Sequence, residues 1–113
     1  MNAVTLGRVT SASFARNLES CEPADQLACY ADDAEVSVVC GRRGQYLRGA
    51  AIGAWVDQMC SNNRTMRVVH EAQHNDELTV IAEFQTVDGD FGVYSSIAQL
   101  NDGLIVAQQV VLL

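Results

Sequence analysis

The second half of the chain alternates between apolar and polar positions. Four β-rich stretches, near 66–73, 78–87, 91–100 and 104–113, follow one another with only short interruptions. The interruptions are His74-Asn75-Asp76-Glu77, Asp88-Gly89-Asp90 and Asn101-Asp102-Gly103, polar or glycine-containing clusters that close hairpins. Ahead of them the spacing is helical. Ile52, Trp55, Val56 and Met59 fall at i, i+3, i+4 and i+7 and predict a helix over 50–60 with one apolar face. Phe14 and Leu18 stand four apart, with Ser11 or Ser13 as N-cap. Pro23 suits the first turn of a second helix over 23–30, burying Leu27 and Tyr30 and ended by Asp32-Asp33. The Val-rich run 34–40 reads as a strand, and 41–49 as a loop. Helices first and a meandering sheet second describe an α+β domain with helices on one face of an antiparallel sheet.

Alternate residues of a strand point to opposite faces. Parity places Val68, His70, Ala72, Val80, Ala82, Phe84, Gly92, Tyr94, Ser96, Ala98, Val106, Gln108, Val110 and Leu112 under the helices. The other face mixes charges and amides with Ile81, Val93, Ile97 and Val111. That is too apolar for open solvent and predicts a subunit contact there.

Composition narrows the choice of partners. A chain of 113 residues forms one domain, 1–113, large enough for a core of its own. Its formal charge is −7, with seven Arg and no Lys, which disfavours nucleic acid and anionic membranes. No apolar run approaches the roughly 20 residues of a membrane span, and the first residues lack a signal-peptide pattern, so a cytoplasmic protein is expected. Arg42-Arg43 before Gly44 reads as a solvated turn. Cys21, Cys29, Cys40 and Cys60 are widely and irregularly spaced, with no CxxC. No metal site is expected, and the four thiols read as small buried hydrophobes.

Three segments, in order, carry a resemblance. They are Tyr30-Ala31-Asp32-Asp33-Ala34-Glu35-Val36, then Gly49-Ala50-Ala51-Ile52 opening a helix, then Asn101-Asp102-Gly103-Leu104-Ile105 before the last strand. From Phe14 to the C-terminus the chain resembles the NTF2-like superfamily, in its SnoaL-like and ketosteroid isomerase-like branch. The resemblance implies a cystatin-like cone, in which three N-terminal helices pack on a curved, mostly antiparallel sheet and enclose a cavity. It also implies frequent dimerisation through the sheet and chemistry without metal or cofactor.

Fold does not settle chemistry. The ketosteroid isomerases of this group use an Asp base where this chain has Val38, and a Tyr and a protonated Asp where it has Phe14 and Ser96. No carboxylate remains to shuttle the proton by that route. The acidic residue that many SnoaL-like cyclases carry near the end of the final strand is also missing from Gln108-Gln109-Val110-Val111-Leu112-Leu113. Dehydratase-like relatives use a His early in the sheet and a carboxylate on the first helix; His70 and Glu19 fall near those places.

Two functional expectations therefore stand side by side. One is a cofactor-independent isomerase, cyclase or dehydratase for an apolar polycyclic or polyketide-like molecule. His70 would move the proton, and Tyr94, Ser96 and Gln108 would orient or polarise an oxygen. Phe14, Leu18, Val38, Trp55, Met59, Ala82, Phe84 and Val110 would line the pocket. The other is a non-catalytic ligand-binding or dimerisation module that has lost its catalytic carboxylates. The small apolar ligand and the homodimer are common to both.

Overall fold

In a computed structural model the structure describes residues 8–113, and of Arg64 the backbone alone. Helix α1 (Ser11–Ser20) opens in a capping box: Ser13 N–H donates to Thr10 Oγ1 at 3.0 Å, and Thr10 N–H donates to Ser13 Oγ at 2.9 Å. The cap is thus Thr10, one residue before Ser11. Helix α2 (Pro23–Leu27) starts at the proline as expected but stops early. Leu27 is exposed and Gln26 is buried in its place, while Tyr30 already belongs to a strand.

Strand β1 (Tyr30–Cys40) therefore takes in Asp32 and Asp33, which lie exposed where its register shifts between Tyr30 and Glu35. Strand β2 (Arg43–Arg48) occupies the segment expected to be a loop. It pairs back on β1 through Gly41-Arg42, with Gly41 at φ 62°, a conformation that favours glycine. Helix α3 (Ala50–Asn62) buries Ile52, Trp55, Val56 and Met59, the face its spacing predicts. It lies in mid-chain between two strands, so the three helices among the described residues are not all N-terminal.

Strands β3 (Asn63–His74), β4 (Glu77–Thr86), β5 (Phe91–Asn101) and β6 (Leu104–Leu112) complete a six-stranded curved sheet in the order β2-β1-β6-β5-β4-β3. Every neighbouring pair is antiparallel except β1 and β6. The inner face carries Val36, Val80, Ala82, Tyr94, Ala98 and Val110, all buried.

Two irregularities break the predicted parity. In β3 the register slips between Val68 and His70, so Val68 faces Ala82 but His70 faces Ile81. A β-bulge of this kind turns every later side chain to the opposite face. His70 is exposed as a result, and Glu71 and Gln73 turn toward α1. There Gln73 Oε1 accepts from Ser11 N–H at 3.1 Å, and the Ser11 hydroxyl donates to Glu71 at 3.4 Å. The Glu19 carboxylate accepts from Val68 N–H at 2.9 Å, beside the bulge. In β6 a second slip pairs Leu100 with Ile105, which is buried, and leaves Val106 half-buried.

Candidate functional site

The polar residues expected to act together do meet, but in a closed cluster. The Tyr30 hydroxyl donates to Gln108 Oε1 at 2.5 Å. The Gln108 amide nitrogen donates to Ser96 Oγ at 2.8 Å and to the Tyr94 hydroxyl at 3.1 Å. Strands β1, β5 and β6 supply these side chains, and all four are buried, with Gln108 at 4 % exposure. Buried polar groups in such a network stabilise the fold when every one finds a partner. Tyr30 is the member that parity overlooked, because the strand begins earlier than its Val-rich run.

Burial is the largest influence on both phenols. It pushes Tyr30 and Tyr94 well above the ordinary value of 10.0, because a phenolate loses its hydration there. Since the folded state holds these protons more tightly than the unfolded chain, the stabilisation is complete below about pH 10. It is lost as pH rises further. In an alkaline titration, ultraviolet phenolate absorption from these two residues is expected to appear only together with unfolding.

His70 takes no part in this cluster. The bulge in β3 sends it to the outer face, so the proposed proton shuttle is separated from Tyr94, Ser96 and Gln108 by the sheet. Of the expected pocket residues, Phe14, Leu18, Ala82 and Val110 are also closed off, at no more than 1 % exposure. All four belong to the buried core.

The remaining four, Val38, Trp55, Met59 and Phe84, line a cavity of about 440 Å³ at one end of the sheet. Val38, Trp55 and Met59 are buried and form its floor; Phe84 and Leu112 are half-buried and form a wall. The rim is polar. It carries Cys40 and Arg43 from the β1–β2 hairpin, Gln45, Gln58, Asn62 and Asn63, with Thr86 and Leu113 completing the outline. Sequence reasoning missed this rim because β2 was read as a loop, so nothing placed its side chains beside α3.

Gly92 shapes the same wall. It pairs with Phe84 across β4 and β5, and a Cβ at that position would sit 2.4 Å from the Phe84 ring and 2.8 Å from the Leu113 carbonyl oxygen. The aromatic ring occupies the space that a side chain would take. Gly92→Ala is expected to cost about 1–3 kcal/mol in chemical denaturation and to drive the Phe84 ring toward the cavity.

The thiols are less uniform than expected. Cys29 is buried, Cys21 and Cys60 are half-buried, and Cys40 is exposed at the cavity rim. The Cys60 thiol is pushed up to about 12, first by burial and then by the neighbouring Cys21 thiol. Among the described residues, no group of three or more His, Cys, Asp or Glu could hold a metal ion, and no helix is long and apolar enough to cross a membrane.

No protein-family model and no curated protein matches the sequence. Solved structures do match the fold. A ketosteroid isomerase candidate from Kribbella flavida is 13 % identical with a TM-score of 0.77, covering 96 % of this chain and 78 % of its own. A DUF4783 family protein from Bacteroides ovatus is 14 % identical, TM-score 0.71, covering 95 % and 97 %. A Catenulispora acidiphila protein with a ketosteroid isomerase-like fold, solved with trimethylamine, is 14 % identical, TM-score 0.66, covering 88 % and 81 %. The helices, the curved sheet and these likenesses together show that the chain adopts the ketosteroid isomerase-like, or NTF2-like, fold.

Proposed function

We propose that this protein is a non-catalytic small-molecule binder whose ligand occupies the end cavity, the mouth of a cone formed by the helices and the curved sheet. One observation carries the reading. The cavity has an apolar floor and a polar rim, yet among the described residues of its lining there is no His, Tyr or acidic side chain. Such a site can hold an apolar body and fix its orientation by a few hydrogen bonds. Among the described lining residues, none is the carboxylate or imidazole that isomerisation, cyclisation or dehydration ordinarily uses as its base. The cluster of Tyr30, Tyr94, Ser96 and Gln108 spends its polar atoms on itself. An isomerase, cyclase or dehydratase built on this chain would need to open that cluster first.

The Catenulispora acidiphila neighbour was solved in complex with trimethylamine, a base that is cationic once protonated. The cavity here carries a cation of its own in Arg43, so a ligand of opposite character suits it better. A homodimer through the outer sheet face belongs to the same reading, supported by Ile97, Val69 and Tyr46, which stand exposed there. Cytoplasmic residence is proposed with it, on four cysteines with free thiols.

The experiment is a fluorescence titration on Trp55, the single tryptophan. Steroids, aromatic polyketides, terpenoids and fatty acids are added in turn, and each binding class is then assayed for turnover. Saturable quenching by one class without product is the expected result. A flat response across all four would sink the binding reading, and product formation would restore the enzyme.

A further inference from the structure

We infer that the cavity selects an amphipathic monocarboxylate, with the apolar body on the Trp55 floor and the carboxylate on the Arg43 guanidinium. This rests on the binding reading above and specifies its ligand. Arg43 is the only charged side chain among the described residues that line the cavity. It is also free of any carboxylate: the ion pair between Arg67 and Glu83 is the only one among the described residues. A fork of N–H donors without an acidic partner, beside an apolar floor, matches the two oxygens of a carboxylate.

The surrounding chemistry agrees. Gln45, Gln58 and Asn62 reach the same rim and can donate to carboxylate oxygens that Arg43 leaves uncovered. The backbone under Arg43 is fixed, because Arg43 pairs with Cys40 across the tight turn at Gly41-Arg42. The guanidinium is therefore carried on a strand rather than on a free loop. The overall charge sharpens the point. A molecule with a formal charge of −7 repels anions at long range, so capture of one demands a local cation. A purely apolar ligand would make no use of Arg43.

The test uses three probes with one apolar body: 1-naphthaleneacetate, its neutral amide, and 1-naphthalenemethylamine, which is cationic at neutral pH. Calorimetric titration into the whole protein gives each affinity, at low and at high salt. The acid is expected to bind about tenfold more tightly than the amide, the gain of one charge-assisted contact, and the amine more weakly than either. Salt should weaken the acid and leave the amide alone. Arg43→Gln should abolish the preference for acid over amide; this position is exposed, and circular dichroism checks that the variant is folded.

Equal binding of acid and amide, unaffected by Arg43→Gln, would overturn the inference and leave the cavity reading standing. A preference for the acid that persists in Arg43→Gln would overturn it as well. Failure of all three probes to bind would overturn the inference, and the Trp55 titration across the four ligand classes then decides whether the binding reading falls with it.

Discussion

Gln108→Ala is expected to lower the free energy of unfolding by about 3–5 kcal/mol, measured by urea denaturation. The Gln108 amide is the hub of the buried cluster: it accepts from Tyr30 and donates to Tyr94 and Ser96. Its removal strands three hydroxyls away from water, at roughly 1–3 kcal/mol for each that finds no substitute. The sum is not simple, because Tyr94 and Ser96 can turn toward one another. A cavity adds to the loss. Tyr30→Phe removes only one donor and should cost less, about 1–2 kcal/mol, with the Gln108 carbonyl oxygen left unpaired. Against a total stability of roughly 5–15 kcal/mol, the alanine variant would stand near the edge of folding. A loss under about 1 kcal/mol would show that the cluster is open to water and available for other work.

Phe14→Ala is expected to cost a similar amount, about 3–5 kcal/mol, for a different reason. Phe14 has no exposed surface, and it holds α1 to the sheet together with Leu18. A helix of ten residues is marginal in water by itself, so its apolar stripe supplies its stability. Deleting the ring leaves a void that the cap at Thr10 cannot offset. Denaturation should show the loss. Calorimetry on the folded fraction should show cavity ligands binding as before, because Phe14 lies outside the cavity lining. Weakened binding with unchanged stability would instead make Phe14 the pocket residue that the sequence suggested.

Much of the fold could be read from periodicity. The α3 stripe of Ile52, Trp55, Val56 and Met59, and the strands that include Val80, Tyr94 and Val110, have strong patterns because each buries one face. What escaped had no such pattern. Strand β2, Arg43-Gly44-Gln45-Tyr46-Leu47-Arg48, is an edge strand exposed along most of its length, with Leu47 alone half-buried against the core, so its hydrophobicity hardly sets it apart from a loop. The bulge at Val69 left the sequence alternating as before while the chain changed faces, and it carried His70 out of the interior. The one available clue was chemical: Glu71 and Gln73 make sense as inward residues only if something like the N-terminus of α1 awaits them.

The candidate site was legible in the same proportion. Its floor residues Val38, Trp55 and Met59 lie on elements with clear periodicity, so they could be assigned in advance. Its rim depends on where β2 and the end of α3 meet, a long-range arrangement that no local pattern encodes. Parity did not carry through to proximity: His70 lies apart from Tyr94, Ser96 and Gln108. Tyr94, Ser96 and Gln108 were placed on the correct face, but a shared face does not leave room for a substrate. With Tyr30 they saturate one another.

The most direct test is a two-dimensional amide NMR titration with 1-naphthaleneacetate. It reads the Trp55 indole N–H at the cavity floor and the Gln108 side-chain amide in the buried cluster within a single spectrum. The Trp55 signal should shift progressively and saturate, with neighbours at Cys40 and Asn62, while the Gln108 amide stays in place. Movement of the Gln108 amide ahead of Trp55 would contradict this account and return the site to the Tyr94 and Ser96 cluster.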